Sequence, residues 1–219
     1  MGRTAVISRG SVLRIAAKVF FDKGYGRTTF ALVADAAEVQ KGSVAYRFGS
    51  KENMLIEVIE QNLRDADECV FKKAFTNDRS PLEQLKYFLQ LTCEYQTSHL
   101  KDLGCFFGRM SLEVADQSEL VRLKLKRAFD QYLSHLSFAI VQAQQAWEIR
   151  EDVDPDELAY FILAQMEGAM VLVKTYRDVA QMEQSFDRLI TLLAFLRPEG
   201  VRGTRKRRPD SNLRVGKAQ

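Results

Sequence analysis

Apolar residues recur at helical spacing along most of the chain, and no stretch alternates in the manner of a half-buried strand. Val12, Ile15, Ala16, Val19 and Phe20 mark a first helix from about Ser11 to Lys23, ended by Gly24 and Gly26 around Tyr25. Thr28 or Thr29 is placed to cap a second helix, whose apolar face is Phe30, Val33, Ala34 and Ala37. A short third helix follows from Lys41 to Phe48. A longer one starts at Ser50 and runs to about Phe75 on a stripe of Leu55, Ile56, Ile59 and Leu63. After a break at Asn77 to Pro81, helices are expected over 81–98, 103–115, 118–147, 155–177 and 180–196. Pro81 and Pro155 suit first turns, and Asp154 can cap the helix that contains Pro155. The expected class is all-α. From Arg197 onward breakers and charge dominate, which predicts a disordered tail over 199–219.

Composition changes this picture little until charge is divided along the chain. With 219 residues and 46% hydrophobic positions, the chain can form one sizeable core or a small head joined to a larger body. No run of 18 apolar residues predicts a membrane span, and Arg3 and Arg9 are not followed by an export signal. Cys69, Cys93 and Cys105 have no zinc spacing, and their odd number argues for a reducing, cytoplasmic setting. The formal net charge of +3 conceals +6 over residues 1–51, −9 over 52–196 and +6 over 197–219. A basic head on an acidic body fits a protein that meets a polyanion at one end. The run from Thr204 to Arg208 would either track phosphate or only solubilise the tail.

The most informative stretch is Thr28 to Lys51: two short helices with a tight connection, the pattern of a helix-turn-helix. From Ile15 to Leu55 the sequence resembles the TetR family of bacterial transcriptional regulators. Gly24–Tyr25, Thr28–Thr29, Val33–Ala34, Lys41–Gly42, Phe48 and Ser50–Lys51–Glu52 carry the likeness. It implies an N-terminal three-helix DNA-binding domain over 1–50 and a helical ligand-binding and dimerisation domain over 51–198. Two positions depart from the family pattern. Glu38 stands where the turn glycine is common, so a positive φ there would strain it. Ala45 stands where a tyrosine is usual, so the operator cannot be borrowed from relatives.

The resemblance places the recognition helix at about Gln40 to Phe48. Gln40 suits adenine, Arg47 guanine or phosphate, and Ser43 either. Tyr46, Lys41 and Lys51 suit phosphate, Gly42 permits close approach, and Thr28 and Thr29 stand at a helix start that can hold an anion. The implied partner is double-stranded DNA with a palindromic operator, bound by a homodimer.

For the body, the likeness implies a small-molecule effector. Phe88, Tyr95, Cys105, Phe106, Arg109, Met110, Phe129, Tyr132, Phe161 and Gln165 are the candidate lining, and Arg109 either recognises an anion or pairs with Glu113. A lowered thiol pKa at Cys105 would support a second reading, a sensor of electrophiles or oxidants. The last two helices supply the candidate dimer interface: Leu163, Ala164, Glu167, Gly168, Met170, Val171, Lys174, Phe186, Leu189, Ile190 and Leu193. No cofactor or metal site is expected. His99 and His135 lack the constellation of a catalytic site, which argues against an enzyme. An architectural DNA-binding protein without effector is the remaining alternative.

Overall fold

The computed structural model describes residues 7–97 and 104–198, and all regular structure among them is helical. Arg3, His99, the expected helix start at 103 and the tail 199–219 with its basic run lie outside the described residues.

Helix α1 (Arg9–Arg27) begins where the Ser8 side chain accepts the Ser11 amide. It breaks at Gly24, where φ is 78°. A side chain at Gly24 would also meet the Glu113 carboxylate of a later helix, so glycine is required there twice over. Helix α2 (Phe30–Ala36) is capped by Thr29, which accepts the Leu32 amide.

The turn into α3 (Lys41–Phe48) is a Schellman motif: the Val39 amide bonds to the Ala34 carbonyl and the Glu38 amide to Asp35. That motif needs a left-handed residue at its penultimate position, and Glu38 takes it with φ 53°. The expected strain is therefore present.

Ser50 caps α4 (Lys51–Ala66), which continues through a π-helical turn at Asp67–Phe71 into α5 (Lys72–Phe75). The single long helix expected here is thus one rod with a widened turn. Next come α6 (Pro81–Thr97), α7 (Phe106–Val114), α8 (Glu119–Gln145), α9 (Pro155–Tyr176) and α10 (Val179–Phe195). Asp154 caps α9 by accepting two amides, as its place before Pro155 predicts.

Two hydrophobic cores organise these helices. The body core joins the π turn and α5 to α6, α8, α9 and α10 around Phe71, Phe88, Leu136, Ile162 and Phe186. The head core gathers Phe20, Val33, Val44 and Phe48 with Met54, Leu55 and Val58 of α4. It continues into Phe107, Met110 and Val114 of α7 and Val121, Leu125 and Ala128 of α8. A three-helix head of this size buries too small a share of its surface to be robust alone, so the borrowed side chains matter. The expected boundary after residue 50 is a change of role along the chain, not a gap in packing. Cys105, Phe129 and Tyr132 are partly buried against both cores.

Replacing Glu38 by glycine removes the left-handed strain, which costs about 1–2 kcal/mol for an ordinary residue, and returns part of that as unfolded-chain entropy. The expected outcome is a net gain of roughly 0.5–1 kcal/mol, read as a higher thermal midpoint. An unchanged or lower midpoint would show the Schellman turn to be unstrained.

Candidate nucleic-acid interface and effector cavity

The start of α3 presents the most exposed part of the expected reading surface. Gln40, Lys41 and Gly42 are exposed, Ser43 is half-buried, and Tyr46 is 93% exposed. Val44 and Phe48 anchor the opposite face in the head core. The Gln40 side chain makes no capping bond, so its amide is left to project outward. A side chain at Gly42 would meet nothing within the protein, so no internal packing demands glycine there. Thr29 is exposed beside this surface with its hydroxyl capping α2.

One expected contact, Thr28, is corrected by its burial, and two others, Lys51 and Arg47, have partners within the head. Thr28 is fully buried, and its hydroxyl donates to the Gly24 carbonyl at 2.7 Å. It locks the α1 break and does not face outward. The Lys51 ammonium donates to the carbonyls of Tyr25 at 2.9 Å and Gly26 at 3.3 Å, and lies 4.3 Å from the centre of the Tyr25 ring. Arg47 is half-buried and donates to the Ile7 carbonyl at 3.2 Å. Both cations hold the head together. Arg9 does likewise: it pairs with Glu57 at 2.6 Å, bonds the Arg47 carbonyl and covers the Phe48 ring.

A small enclosed cavity of about 70 Å³ lies where the two cores meet. Tyr95, Cys105, Phe106, Phe129 and Tyr132 line it as expected, joined by Asn62, Thr92, Gln96, Phe107, Met166 and Glu167. The others are placed elsewhere. Phe88 and Met110 are fully buried in the body and head cores, and Phe161 and Gln165 point outward from α9. Arg109 stays outside the cavity, because its guanidinium is spent on α1 and on its own helix. It pairs with Glu113 at 2.8 Å and donates to the Phe21 carbonyl. Glu113 in turn accepts the Tyr25 amide at 2.6 Å. The pairing alternative for Arg109 is the one the structure realises.

The polar centre of the cavity is Glu167, a lone carboxylate in the middle of the apolar helix α9. Burial pushes its carboxyl up from the usual range, partly offset by a hydrogen bond with the Cys105 thiol. Its carboxylate fills the space that any side chain at Gly108 would need. Burial, then the neighbouring Glu167, pushes the Cys105 thiol well up, although the Gly108 amide at 3.4 Å opposes this. The expectation of a lowered thiol pKa is overturned, since Arg109 is turned away and a carboxylate stands in its place. Tyr132 is also raised, first by burial and then by Cys105 and Glu167.

The last two helices divide by face. Leu163, Met170, Phe186, Leu189 and Leu193 are buried inside the protomer, and Ile190 packs against the same core. They are removed from the expected dimer surface because the strongest apolar stripe faces its own core first. Glu167 belongs to the cavity, and Lys174 lies 4.1 Å from the Phe21 ring at the joint with the head. What α9 exposes instead is a second stripe: Phe161, Ala164, Gln165, Gly168, Val171, Leu172 and Thr175. Their spacing keeps them on one side of the helix. This helix is long and apolar enough by composition to cross a membrane, but 44% of its apolar window is buried within the protomer.

Residues 12–58 match the bacterial regulatory proteins of the tetR family, and residues 81–189 match the tetracyclin repressor-like C-terminal domain. The HTH-type transcriptional repressor DhaR of Mycobacterium sp. (strain GP1) is 29% identical over 184 residues, 84% of this chain and 90% of that protein. The regulatory protein TetR from Rhodobacter sphaeroides has the same fold, with a TM-score of 0.76 at 23% identity, over 83% of this chain and 96% of its own. A cysteine-substituted form of the regulator CifR, solved with a 26-base-pair operator duplex, aligns with a TM-score of 0.75 at 23% identity over 86% of this chain and 98% of its own. Both the head and the body match in sequence and in order, and the chain belongs to the TetR family of bacterial regulatory proteins.

Proposed function

We propose that this protein is a homodimeric transcriptional repressor that reads a palindromic operator with α3 and leaves it when a small molecule enters the cavity between the two cores. The observation that carries this reading is the position of that cavity. Its walls include Cys105, Phe129 and Tyr132, which pack against both the DNA-binding head and the body. A relative named as a repressor, similar over most of both chains, supports repression over activation. Membership in a regulator family supports a protein without catalytic turnover and a cytoplasmic site of action.

On DNA, Gln40 and Ser43 face base edges, while Lys41, Tyr46 and Thr29 hold phosphate. The second protomer docks through the exposed α9 stripe, where Ala164 and Gly168 allow close crossing and Val171 and Leu172 supply apolar area. Inside each protomer, α7 carries the signal. Its first turn lines the cavity through Phe106 and Phe107 and reaches α1 through Arg109, and its last turn holds α1 through Glu113. A ligand that displaces Glu167 from Gly108 shifts α7, and with it the head. The raised Cys105 thiol gives the electrophile-sensing alternative no support.

Selection from a random duplex library by the purified protein is expected to enrich an inverted repeat with half-sites one or more helical turns apart. No enrichment would refute operator reading. On the selected duplex, Lys41→Ala removes one phosphate contact per protomer. The log–log salt slope of the dimer is then expected to fall by about two, and an unchanged slope would take Lys41 off the backbone. Val171→Asp places a charge in the α9 stripe and is expected to shift sedimentation from dimer to monomer; a dimer that persists places the interface elsewhere. Glu113→Ala leaves the Tyr25 amide without its acceptor, at a cost of about 1–3 kcal/mol. Hydrogen exchange should then accelerate through the end of α1 and α2 while α9 and α10 keep their protection. Uniform acceleration would show that the contact is not specific to the head.

A further inference from the structure

The cavity has a chemistry of its own, and it differs from what the sequence suggested. None of the side chains that line it is Lys, Arg or His. Arg109, the cation expected to meet an anion, is held outside by Glu113 and the Phe21 carbonyl. A carboxylate or phosphate entering the cavity would face Glu167; Arg109 and Lys174 line the adjoining open groove, which shares Cys105, Phe129, Glu167 and Met170 with the cavity. Burying an unpaired ion beside a like charge costs several kcal/mol (about the effective penalty per ion). Anionic effectors are disfavoured on both counts.

Polar side chains stand among the aromatic ones: Asn62, Thr92, Tyr95, Gln96 and Cys105, with Tyr132 and Glu167. Glu167 offers carboxylate oxygens, which accept. Tyr132 offers a phenolic hydroxyl; it stands among Phe71, Phe88 and Phe107 with ring centroids 4.7, 6.5 and 6.2 Å away. Its hydroxyl end lies within electrostatic reach of Cys105, Glu167 and Tyr95. A tyrosine hydroxyl both donates and accepts, so an ammonium could bond Glu167 and the Tyr132 oxygen, but it would have to leave water to do so; a hydrocarbon bonds neither. An uncharged hydroxyl serves both groups with one atom. The rest of the wall, led by Phe106, Phe107, Phe129 and Met166, calls for an apolar or aromatic frame with ring-edge and sulfur contacts. At about 70 Å³ the space holds roughly five to seven water-sized groups, so the frame is no larger than one small ring.

We propose that the effector is a small uncharged hydroxyl compound, a phenol or a short aromatic or aliphatic alcohol, whose hydroxyl donates to Glu167 and accepts from Tyr132. The proposal rests on the reading of this cavity as the effector site. It makes Glu167 and Tyr132 the residues that set ligand class, with Gly108 leaving the carboxylate its room.

The test uses the full-length protein and four one-ring probes at neutral pH: phenol, toluene, benzoate and benzylamine. Calorimetric binding and operator release are measured in parallel. Phenol is expected to bind and to release the operator. Glu167→Gln and Tyr132→Phe are each expected to weaken phenol at least tenfold while the ligand-free protein still melts cooperatively and holds its operator. Gln and Phe nearly preserve the volume of the residues they replace, and each variant tests the pair separately. Toluene binding as well as phenol, either ion binding better than phenol, or no probe binding at all would overturn the proposal. Variants that both bind phenol like the parent protein would overturn it as well. If toluene or an ion binds and releases the operator, the effector reading stands and only the ligand class fails. If phenol binds through both residues and the operator stays bound, the ligand class stands and the switch reading fails.

Discussion

Phe107, Met110 and Val114 sit in the head core while Cys105, Phe106 and Phe107 at the start of the helix also close the cavity under the body, so α7 cannot be placed by either core alone. Each of these buried side chains contributes roughly 1.5–3 kcal/mol by leaving water, far more than any surface contact between head and body. The helix is only nine residues long and has little freedom to bend between its two duties. A displacement at its first turn is passed to its last.

What the last turn holds is the break at the end of α1. At Gly24 the α1 backbone leaves helical geometry; the Thr28 amide reaches back to the Gly24 and Tyr25 carbonyls, and the Tyr25 amide takes its acceptor from another helix. Glu113 takes the Tyr25 amide, Lys51 takes the Tyr25 carbonyl, and the Thr28 hydroxyl takes the Gly24 carbonyl. The break between α1 and α2 is thus completed by residues from α4 and α7. This is why cations that look like phosphate contacts in the sequence are consumed internally. The reading surface that remains is small, and dimerisation is what would make it sufficient.

Local signals carried most of the fold. Helix periodicity, the caps at Thr29, Ser50 and Asp154, and the break at Gly24 were all legible, because each depends on neighbours within a few residues. Even the strain at Glu38 could be anticipated, since a missing turn glycine is a local fact. The site was less legible. Thr28 and Thr29 are chemically alike, and only the three-dimensional turn decides which hydroxyl points inward. Leu163 and Val171 are equally apolar, and the sequence does not say which stripe of α9 faces its own core. Arg109 drew attention as a cation near aromatics, yet i,i+4 pairing with Glu113 was enough to hold it outside the cavity. The clearest missed signal was Glu167, an acidic residue in the most apolar helix, where only a specific partner offsets the cost of burial.

Helix α9 gives the cavity a second outlet. Leu163, Met166, Glu167 and Met170 face the ligand space, while Phe161, Ala164, Gly168 and Val171 lie on the exposed stripe. The same turns therefore meet the effector on one side and, in the proposed dimer, the partner subunit on the other. In the proposed switch, a ligand that draws on Glu167 would act on α7 within its protomer and on α9 at the two-fold axis, and so on the separation of the recognition helices. The energies are of the right size. Two hydrogen bonds worth about 1 kcal/mol each, made in only one arrangement of the dimer, fall within the roughly 1–3 kcal/mol that typifies coupling between distant sites. A hydroxyl that engages both Glu167 and Tyr132 needs no further contact to shift the operator equilibrium by more than tenfold (about 1.4 kcal/mol per decade).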